Sequence, residues 1–370
     1  MTPVCSALRA VTRTGGGPES LLIPCTLDPM VGNPLRTSPH SRKTRSLAAA
    51  ALAAALALAG CSSGGSSDQS PSGQSTAKGA HILGQWPLTG LPANGPRPKH
   101  PVMVVKVDNT SSSSPQIGLK KADLVTEELV EGGSTRLAAF FYSHVPKTVG
   151  PVRSFRASDI GIVKPAHALV VASGGAPPTR QRLKSAHVRT VTEGGTGFYR
   201  DSGRSAPYNL FMSLRKLAAQ RKASGAPDNY FPWGSAKDFP SGKPAKGLSA
   251  RFSAGHTTTW RYRGGKYVNL NSYAARGDRF RPDTVLVLRV REGNAGYRDP
   301  AGNPVPETLF KGKGDAMVFH GGRLVRGTWE KKGYDATVDL STKSGQLELP
   351  PGNVWMELVP AHGGSVSVRK

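Results

Sequence analysis

The segment Glu127–Arg156 constrains the fold more than any other stretch, because two apolar runs flank a pair of glycines in it. Leu124–Val130 and Leu137–Tyr142 lie on either side of Gly132-Gly133, and their β-branched and aromatic residues are typical of strands. Glycine accepts the positive φ angles that a tight turn between antiparallel strands requires. The apolar pairs of the first run also fit a helix, but the glycine turn favours a β-hairpin, which we predict.

The rest of the first half mixes short buried strands with helices. Val102–Val107 and Ala168–Ala172 are β-branched or apolar throughout, which is typical of strands buried on both faces. Apolar spacing and capping residues predict three helices, at Ala157–Val163, Thr179–Ala186 and Ser213–Ser224. We therefore predict an α/β domain with a mixed sheet over residues 81–240.

The pattern changes after Pro240, where short strands and Gly/Pro turns follow one another without a helix. Trp260–Val268 is predicted as a hairpin around Gly264-Gly265. Further predicted strands are Val285–Val290, Ala316–Phe319, Arg323–Thr328, Ala336–Leu340 and Val354–Val359. Regularly spaced strands of this kind favour a smaller, antiparallel β-rich domain over residues 241–370. The predicted class is α+β, an α/β domain followed by a β-rich one.

Residues 1–60 are typical of a secretory leader. A basic segment, Arg36–Arg45, precedes the apolar run Leu47–Ala59, which is too short to span a bilayer, so we expect the functional start near residue 30. Leu58-Ala59-Gly60-Cys61 resembles a bacterial lipobox, which implies cleavage before Cys61 and lipidation of that cysteine. The alternative is an uncleaved anchor with an incidental cysteine.

Residues 61–80 consist mainly of Ser, Gly and Gln and contain no large apolar side chain, so they predict a flexible tether. Together with the lipobox, this tether predicts a protein held on the outer face of the cytoplasmic membrane through Cys61. The other two cysteines, Cys5 and Cys25, both precede Cys61. Disulfides and thiolate metal sites are therefore not expected in the folded part.

The chain is strongly basic, with 49 Lys and Arg against 24 Asp and Glu. Six of the basic and two of the acidic residues precede Cys61, so an excess of +21 remains beyond the leader. Such a charge favours polyanionic partners, although a merely basic surface explains it equally well. The sequence has no RNP-like strand, helix-turn-helix or zinc knuckle, which argues against nucleic acid.

Polar residues follow the predicted strands at turns, where a rigid sheet positions loops for binding. Three arginines, Arg136, Arg153 and Arg156, stand out because a guanidinium binds phosphate or carboxylate through paired hydrogen bonds. The complete predicted binding set is Asp108, Asn109, Glu131, Thr135, Arg136, Arg153, Ser154, Arg156 and Asn209. The alternative is structural: Arg136 would pair with Glu131 or Glu128, and Arg153 would tie its loop to backbone carbonyls.

Motifs of the common enzyme classes are missing from the sequence, which has no GxSxG, HExxH, P-loop, GxGxxG or CxxC. No catalytic residue, cofactor or metal site is predicted. Whether the protein is an enzyme is left open at this point.

Two sets of motifs resemble one known family. In the first half they are Pro87-Leu88-Thr89-Gly90, Val107-Asp108-Asn109, Pro115-Gln116-Ile117-Gly118-Leu119, Ala122-Asp123, Glu131-Gly132-Gly133-Ser134-Thr135-Arg136 and Gly150-Pro151-Val152-Arg153-Ser154-Phe155-Arg156; in the second they are Gly327-Thr328-Trp329 and Pro351-Gly352-Asn353-Val354-Trp355. This pattern is similar to the YerB-like bacterial lipoproteins. The resemblance implies two domains and an envelope location, and it implies no activity.

Two functional hypotheses follow. The first is a membrane-anchored protein that binds an anionic envelope polymer, a phosphate-bearing ligand or an envelope protein at the arginines. The second is an enzyme acting on phosphate-linked wall glycopolymers or lipid pyrophosphates. Such an enzyme needs a cation or a carboxylate beside the arginines, for which Asp108, Glu131 and Asp159 are candidates.

Overall fold

The computed structural model describes residues 84–370 except 95 and 224, and all of them fall within one compact unit. The predictions for the leader, for Cys61 and for the tether fall outside the described residues. None of the helices in the described part combines the length and hydropathy that a bilayer span requires.

The described part of the chain is rich in strands and has three short α-helices. The helices are α1 (Asp159–Val163), α2 (Pro177–Ser185) and α3 (Leu214–Gln220). The strands are β1 (Met103–Asp108), β2 (Leu124–Leu129), β3 (Thr135–Phe141), β4 (Leu169–Ala172), β5 (Arg189–Thr192), β6 (Phe198–Arg200), β7 (Leu210–Met212), β8 (Lys243–Pro244), β9 (Gly247–Arg251), β10 (Thr257–Arg263), β11 (Lys266–Asn269), β12 (Thr284–Arg298), β13 (Pro304–Leu309), β14 (Gly312–His320), β15 (Arg323–Lys331), β16 (Asp339–Thr342), β17 (Gly345–Gln346), β18 (Val354–Pro360) and β19 (Ser365–Arg369).

One large mixed sheet dominates the fold, with the strand order β17-β16-β15-β14-β12-β18-β2-β3-β1-β4-β5. The predicted hairpin is confirmed, because β2 and β3 pair antiparallel on either side of the glycine turn. Strand β1 lies antiparallel to β3 and parallel to β4, as a mixed sheet requires. A separate antiparallel sheet, β11-β10-β9-β19, contains the second predicted hairpin.

The position of β18 differs from the prediction. This strand runs parallel to both β12 and β2, so the second half is not wholly antiparallel, and its strands continue the sheet of the first half. All seven residues of β18 are buried, which is typical of parallel strands covered on both faces. The sheet therefore crosses the predicted domain boundary at residue 240.

Two hydrophobic clusters cover the two faces of the large sheet. On one face α1 and α2 pack through residues such as Ile162 and Leu183. On the other face α3 and the four-stranded sheet pack through Leu217, Leu248 and Trp260. Burial on both faces explains why β1, β3 and β4 are apolar at nearly every position.

Helix content is lower than the predicted α+β class implies, because the helices are short. Helix α3 ends at Gln220, before the predicted stop at Gly225, and the Ser213 side chain makes no capping hydrogen bond. Strands β5, β6, β7, β8, β9, β13, β17 and β19 were not predicted.

Strand β18 supplies a stability test, because it joins the two halves of the sheet. We expect Leu358→Ala, at a fully buried side chain, to lower the free energy of unfolding by about 2–5 kcal/mol. Leu270→Ala, at a side chain that is 48% exposed, should change it by less than about 0.5 kcal/mol. Chemical denaturation followed by tryptophan fluorescence and by circular dichroism measures both. Two separate transitions in the wild type would contradict a shared core.

Candidate functional site

The β2–β3 hairpin directs neighbouring residues to opposite faces of the sheet, and this alternation divides the predicted site in two. Glu128 and Arg136 are cross-strand neighbours on one face. Glu127 and Thr135 lie on the other face. We name the two groups by their residues. The arginine cluster is Asp108, Glu131, Arg136, Arg153 and Arg156, and the glutamate cluster is Asn109, Glu127, Thr135, Thr258, His256 and Glu357.

Two of the three arginines are paired with carboxylates. Arg156 makes a two-pronged contact with Glu131, in which its Nε donates to Oε2 at 2.8 Å and its Nη2 donates to Oε1. Arg153 Nε lies 3.0 Å from Asp108 Oδ2, and its guanidinium stacks 5.2 Å from the centre of the Tyr208 ring. Arg156 is thus locked in a carboxylate pair, and Arg153 contacts a carboxylate where the structural alternative placed backbone carbonyls.

Arg136 is different, because it is buried and poorly neutralised. Its Nη1 donates to the carbonyl of Ser154 at 3.2 Å, while its nearest carboxylate oxygen, on Glu131, is 3.8 Å from Nη2 and already binds Arg156. Its Nε, like that of the more exposed Arg153, has no hydrogen-bond partner among the described residues, but Arg153 has Asp108 as an ion-pair partner at 3.0 Å. Burial, together with the charge of Arg156, lowers the pKa of Arg136 to about 10. The cluster thus contains a cation without a carboxylate of its own.

Glu131 carries most of the compensating charge. Burial opposes its ionisation, but the hydrogen bond from Arg156 and the charges of Arg136 and Arg156 lower the pKa of Glu131 to about 2. This carboxylate sits on the turn Glu131–Gly133, against which β13 packs. Strand β13 is anchored there by the Thr308 amide, which donates to Ser158 Oγ at 2.9 Å. The pairing of β13 with β12 therefore helps to bury the cluster.

A fully buried ion triad lies next to the arginine cluster. Lys106 Nζ donates at 2.6 Å to both Glu128 and Asp159, and Asp159 also accepts the backbone amide of Arg156 at 2.7 Å. Burial, with the charge of Asp159, raises the pKa of Glu128, although Lys106 opposes the shift. A raised pKa favours the neutral acid, so this face holds more positive than negative charge when Glu128 is protonated.

Two other predicted residues lie at the edge of the arginine cluster. Ser154 is half-buried, and its hydroxyl is 3.2 Å from that of Ser173. Asn209 follows Tyr208, but its side chain accepts a hydrogen bond from Arg200 at 2.5 Å and makes none with the three arginines. Neither of two described cavities, of about 660 and 620 Å³, is lined by Arg136, Arg153 or Arg156.

The glutamate cluster connects the two halves of the chain on the opposite face. Glu127 Oε1 accepts hydrogen bonds from Asn109 at 3.0 Å, Thr135 at 2.7 Å and Thr258 at 2.9 Å, and it lies 2.8 Å from His256 Nε2. Burial alone would raise the pKa of Glu127, but the hydrogen bonds and the charge of His256 lower it. The predicted residues Asn109 and Thr135 thus position a buried carboxylate and are not adjacent to a guanidinium.

Glu357 completes this cluster as a neutral acid. It pairs with Glu127 across the β18–β2 register, and its Oε1 accepts the indole N–H of Trp260 at 2.6 Å. Its Oε2 has no donor among the described residues. Two carboxylates as close as those of Glu357 and Glu127 repel each other when both are ionised, so a hydrogen bond between them requires that one carries a proton. Burial and the charge of Glu127 raise the pKa of Glu357 well above its usual range. The proton therefore resides on Glu357, and Glu127 faces His256 as the anion.

Several residues that complete the two clusters were not among the predicted binding residues. Lys106 and Glu128 lie inside apolar strands, and a charged residue within such a strand is itself an indication of a buried partner. His256, Thr258 and Glu357 lie far along the chain and are brought in by tertiary structure alone. In the described part of the chain, no group of three or more His, Cys, Asp or Glu side chains is arranged to hold a metal ion.

Comparison with known proteins now decides the family. Residues 88–227 match the family described as "Protein of unknown function (DUF3048) N-terminal domain", and residues 248–356 match the corresponding C-terminal domain. The chain belongs to the DUF3048 family. The predicted resemblance to YerB-like proteins is confirmed, and the chain carries both domains of the family.

Two comparisons with one protein, YerB of Bacillus subtilis, agree with this family assignment. A protein of Bacillus subtilis described as "Putative lipoprotein YerB" is 34% identical over 141 residues, which are 36% of this chain and 43% of the relative, so the match spans less than half of that protein. The crystal structure of the YerB protein from Bacillus subtilis aligns with a TM-score of 0.64 and 23% identity, covering 76% of this chain and 99% of the other. That structural similarity shows a shared fold.

The protonated Glu357 predicts how stability depends on pH. Both Glu357 and His256 have raised pKa values in the folded protein, so each contributes stability at low pH that is lost as pH rises through the folded value. Glutamine resembles the protonated acid, because it can donate to Glu127 and accept from Trp260. We therefore expect Glu357→Gln to match the wild type within about 0.5 kcal/mol at about pH 6 and to exceed it at about pH 9.

Denaturant unfolding at the two pH values provides the measurement, and Glu330→Gln, at an exposed glutamate, is the control. The control should leave the pH dependence unchanged. A Glu357→Gln protein that loses more stability than the wild type on going to alkaline pH would exclude the neutral acid.

Proposed function

We propose that this protein is a membrane-anchored envelope lipoprotein that binds a phosphate group, or a similar anionic group, of an envelope polymer at the arginine cluster. The observation that carries this proposal is Arg136, a buried guanidinium with an unpartnered Nε and a nearest carboxylate that is 3.8 Å away and shared. A small oxyanion would supply the missing acceptor and the missing charge.

Burial of the Arg136 guanidinium has a free-energy cost that its partners in the protein offset only in part. A guanidinium removed from water is unfavourable unless a counter-ion and hydrogen-bond acceptors replace the lost hydration. Arg156 and Arg153 meet this requirement through Glu131 and Asp108, whereas Arg136 meets it in part, through one carbonyl. Retaining such a cation is explained if a bound anion completes its environment.

An anion would reach the cluster from the side of Arg153. This side chain is 25% exposed, whereas that of Arg136 is 5% exposed, so Arg153 and the half-buried Ser154 form the rim. Arg153 has spare N–H groups beyond its contact with Asp108, since its guanidinium offers five donors. A phosphate held between Arg153 and Arg136 would be bound by charge-assisted hydrogen bonds, which are the strong ones.

Replacing Arg136 distinguishes an anion-binding role of this arginine from a structural role. We expect Arg136→Met to leave the stability in phosphate-free buffer unchanged or raised by about 1 kcal/mol, because Glu131 keeps Arg156 and no carboxylate is orphaned. Inorganic phosphate should raise the melting temperature of the wild type, because a ligand that binds only the folded state stabilises it. It should not raise that of the variant.

Thermal unfolding of the full chain in detergent, with increasing inorganic phosphate, measures both effects. Arg326→Met, at an exposed arginine of β15, is the matched control and should keep the phosphate response. A large loss of stability in phosphate-free Arg136→Met would identify a structural arginine, and an equal phosphate response in all three proteins would exclude the site.

The envelope location is part of the proposal. It is supported by the lipobox-like sequence ending at Cys61 and by the similarity to a protein described as a putative lipoprotein. We expect Cys61→Ala to shift the protein from the membrane fraction to the soluble extracytoplasmic fraction, because the lipid anchor can then not be attached. Cell fractionation and immunoblotting measure this shift, with Cys25→Ala as the control. Full membrane retention of Cys61→Ala would contradict lipid anchoring.

A further inference from the structure

Strand β5 ends the strand order of the large sheet and lies next to helix α2. It has four residues, it is parallel to β4, and its outer backbone edge pairs with no strand of the described part of the chain. An open edge leaves backbone N–H groups free to donate to a ligand.

A cavity of about 620 Å³ lies between β5 and α2, and we call it the β5 cleft. Its apolar lining includes Leu183 and Val188, its cationic lining is Arg180, Lys184 and Arg189, and the His187 imidazole also borders it. A neighbouring cavity of about 660 Å³ shares His187, Val188 and Arg189 with it and adds Lys164. Two cavities that share lining residues suit an elongated ligand better than a compact one.

The charges of the cleft are not neutralised by the protein. Arg180, Lys184, Arg189 and Lys164 have no carboxylate within 4.0 Å among the described residues. The two cavities together have one acidic lining residue, Asp335. By contrast Arg182, on the same helix, pairs with Glu307 at 2.5 Å. The basic residues of α2 are therefore divided between a paired face and an unpaired one.

Both guanidinium groups of the cleft are positioned by backbone carbonyls. Arg180 Nε donates to the Gly175 carbonyl at 2.8 Å, and Arg189 Nη2 donates to the His167 carbonyl at 2.8 Å. Each guanidinium is thereby oriented through one N–H group while its remaining donors make no other hydrogen bond to the described residues. Lys184 lies one helical turn after Arg180, so both side chains project from one face of α2.

We propose that the β5 cleft binds an extended polyanion with a phosphate in each repeat, along the edge of the sheet. The two adjoining cavities are lined by several cations and one acidic residue, so they suit a ligand that carries a negative charge at every repeat. Phosphodiester and polyphosphate chains have that property. Guanidinium groups bind phosphate through two parallel hydrogen bonds. The cleft is exposed, whereas the arginine cluster is nearly buried, so a polymer reaches the cleft without rearrangement of the fold.

The test compares chain-length dependence between matched variants of the full chain in detergent. The probes are inorganic phosphate, medium-length linear polyphosphate, and poly-glutamate of similar length. The cleft variant is Arg180→Gln, Lys184→Gln and Arg189→Gln together. The control is Arg261→Gln, Arg263→Gln and Arg326→Gln, which removes the same charge at three other exposed arginines.

We expect the cleft variant to bind polyphosphate about tenfold more weakly or worse, and the control to lose less than about threefold, because exposed charges at a distance are screened by salt. Arg136→Met should retain the polyphosphate affinity, which makes failure of this proposal distinguishable from failure at the arginine cluster. Equal weakening in the two triple variants, or equal affinity for poly-glutamate and polyphosphate, would overturn the proposal. Circular dichroism checks folding, and Lys184→Glu alone replaces the triple variant if that does not fold.

Discussion

The whole architecture depends on strand β2, which is buried on both faces and nevertheless carries two consecutive glutamates. Because side chains alternate along a strand, Glu127 and Glu128 enter different layers, and each layer must supply its own compensation. Glu128 is compensated by Lys106, while Glu127 is compensated by His256, Thr135 and Thr258. Burial of an uncompensated carboxylate would cost several kcal/mol, so the strands and loops that provide these partners must be in place before β2 can be covered.

The two layers differ in how much of the compensation is internal. The glutamate cluster is closed, since Glu127 accepts hydrogen bonds from Thr135 and Thr258 and lies 2.8 Å from His256, while burial and the charge of Glu127 raise the pKa of Glu357. The arginine cluster is open, since Arg136 has a carbonyl and a distant, shared carboxylate. A closed cluster is suited to holding the two family domains together. An open cluster, with Arg153 on its rim, is suited to receiving an external anion.

Local sequence patterns predicted the elements well and their partners less well. The glycine pairs at Gly132-Gly133 and Gly264-Gly265 located both hairpins, because a tight turn is a local event. The apolar run Val354–Val359 located β18 but not its parallel neighbours β12 and β2, because strand propensity does not encode which edge a strand joins. Likewise the three arginines lie close to one another, as their spacing in the sequence predicted. Asn109 and Thr135 lie on the other face of the sheet because side chains alternate along a strand. His256 and Glu357 reach Glu127 only through packing between distant parts of the chain. The acidic neighbour Glu131 was identified from the sequence, but how it is shared between Arg156 and Arg136 depends on side-chain geometry.

The late position of β18 in the chain also sets an order of events for folding. Strands β12 and β2 each present a long backbone edge until residues 354–360 insert between them, so the centre of the sheet is completed only once β18 is available. Contacts of such large sequence separation are slow to form, since much chain entropy is lost before they are made. Until β18 is in place, the two halves of the sheet therefore stay unjoined. Truncation after β17 would therefore leave two unpaired strand edges, those of β12 and β2, inside the large sheet.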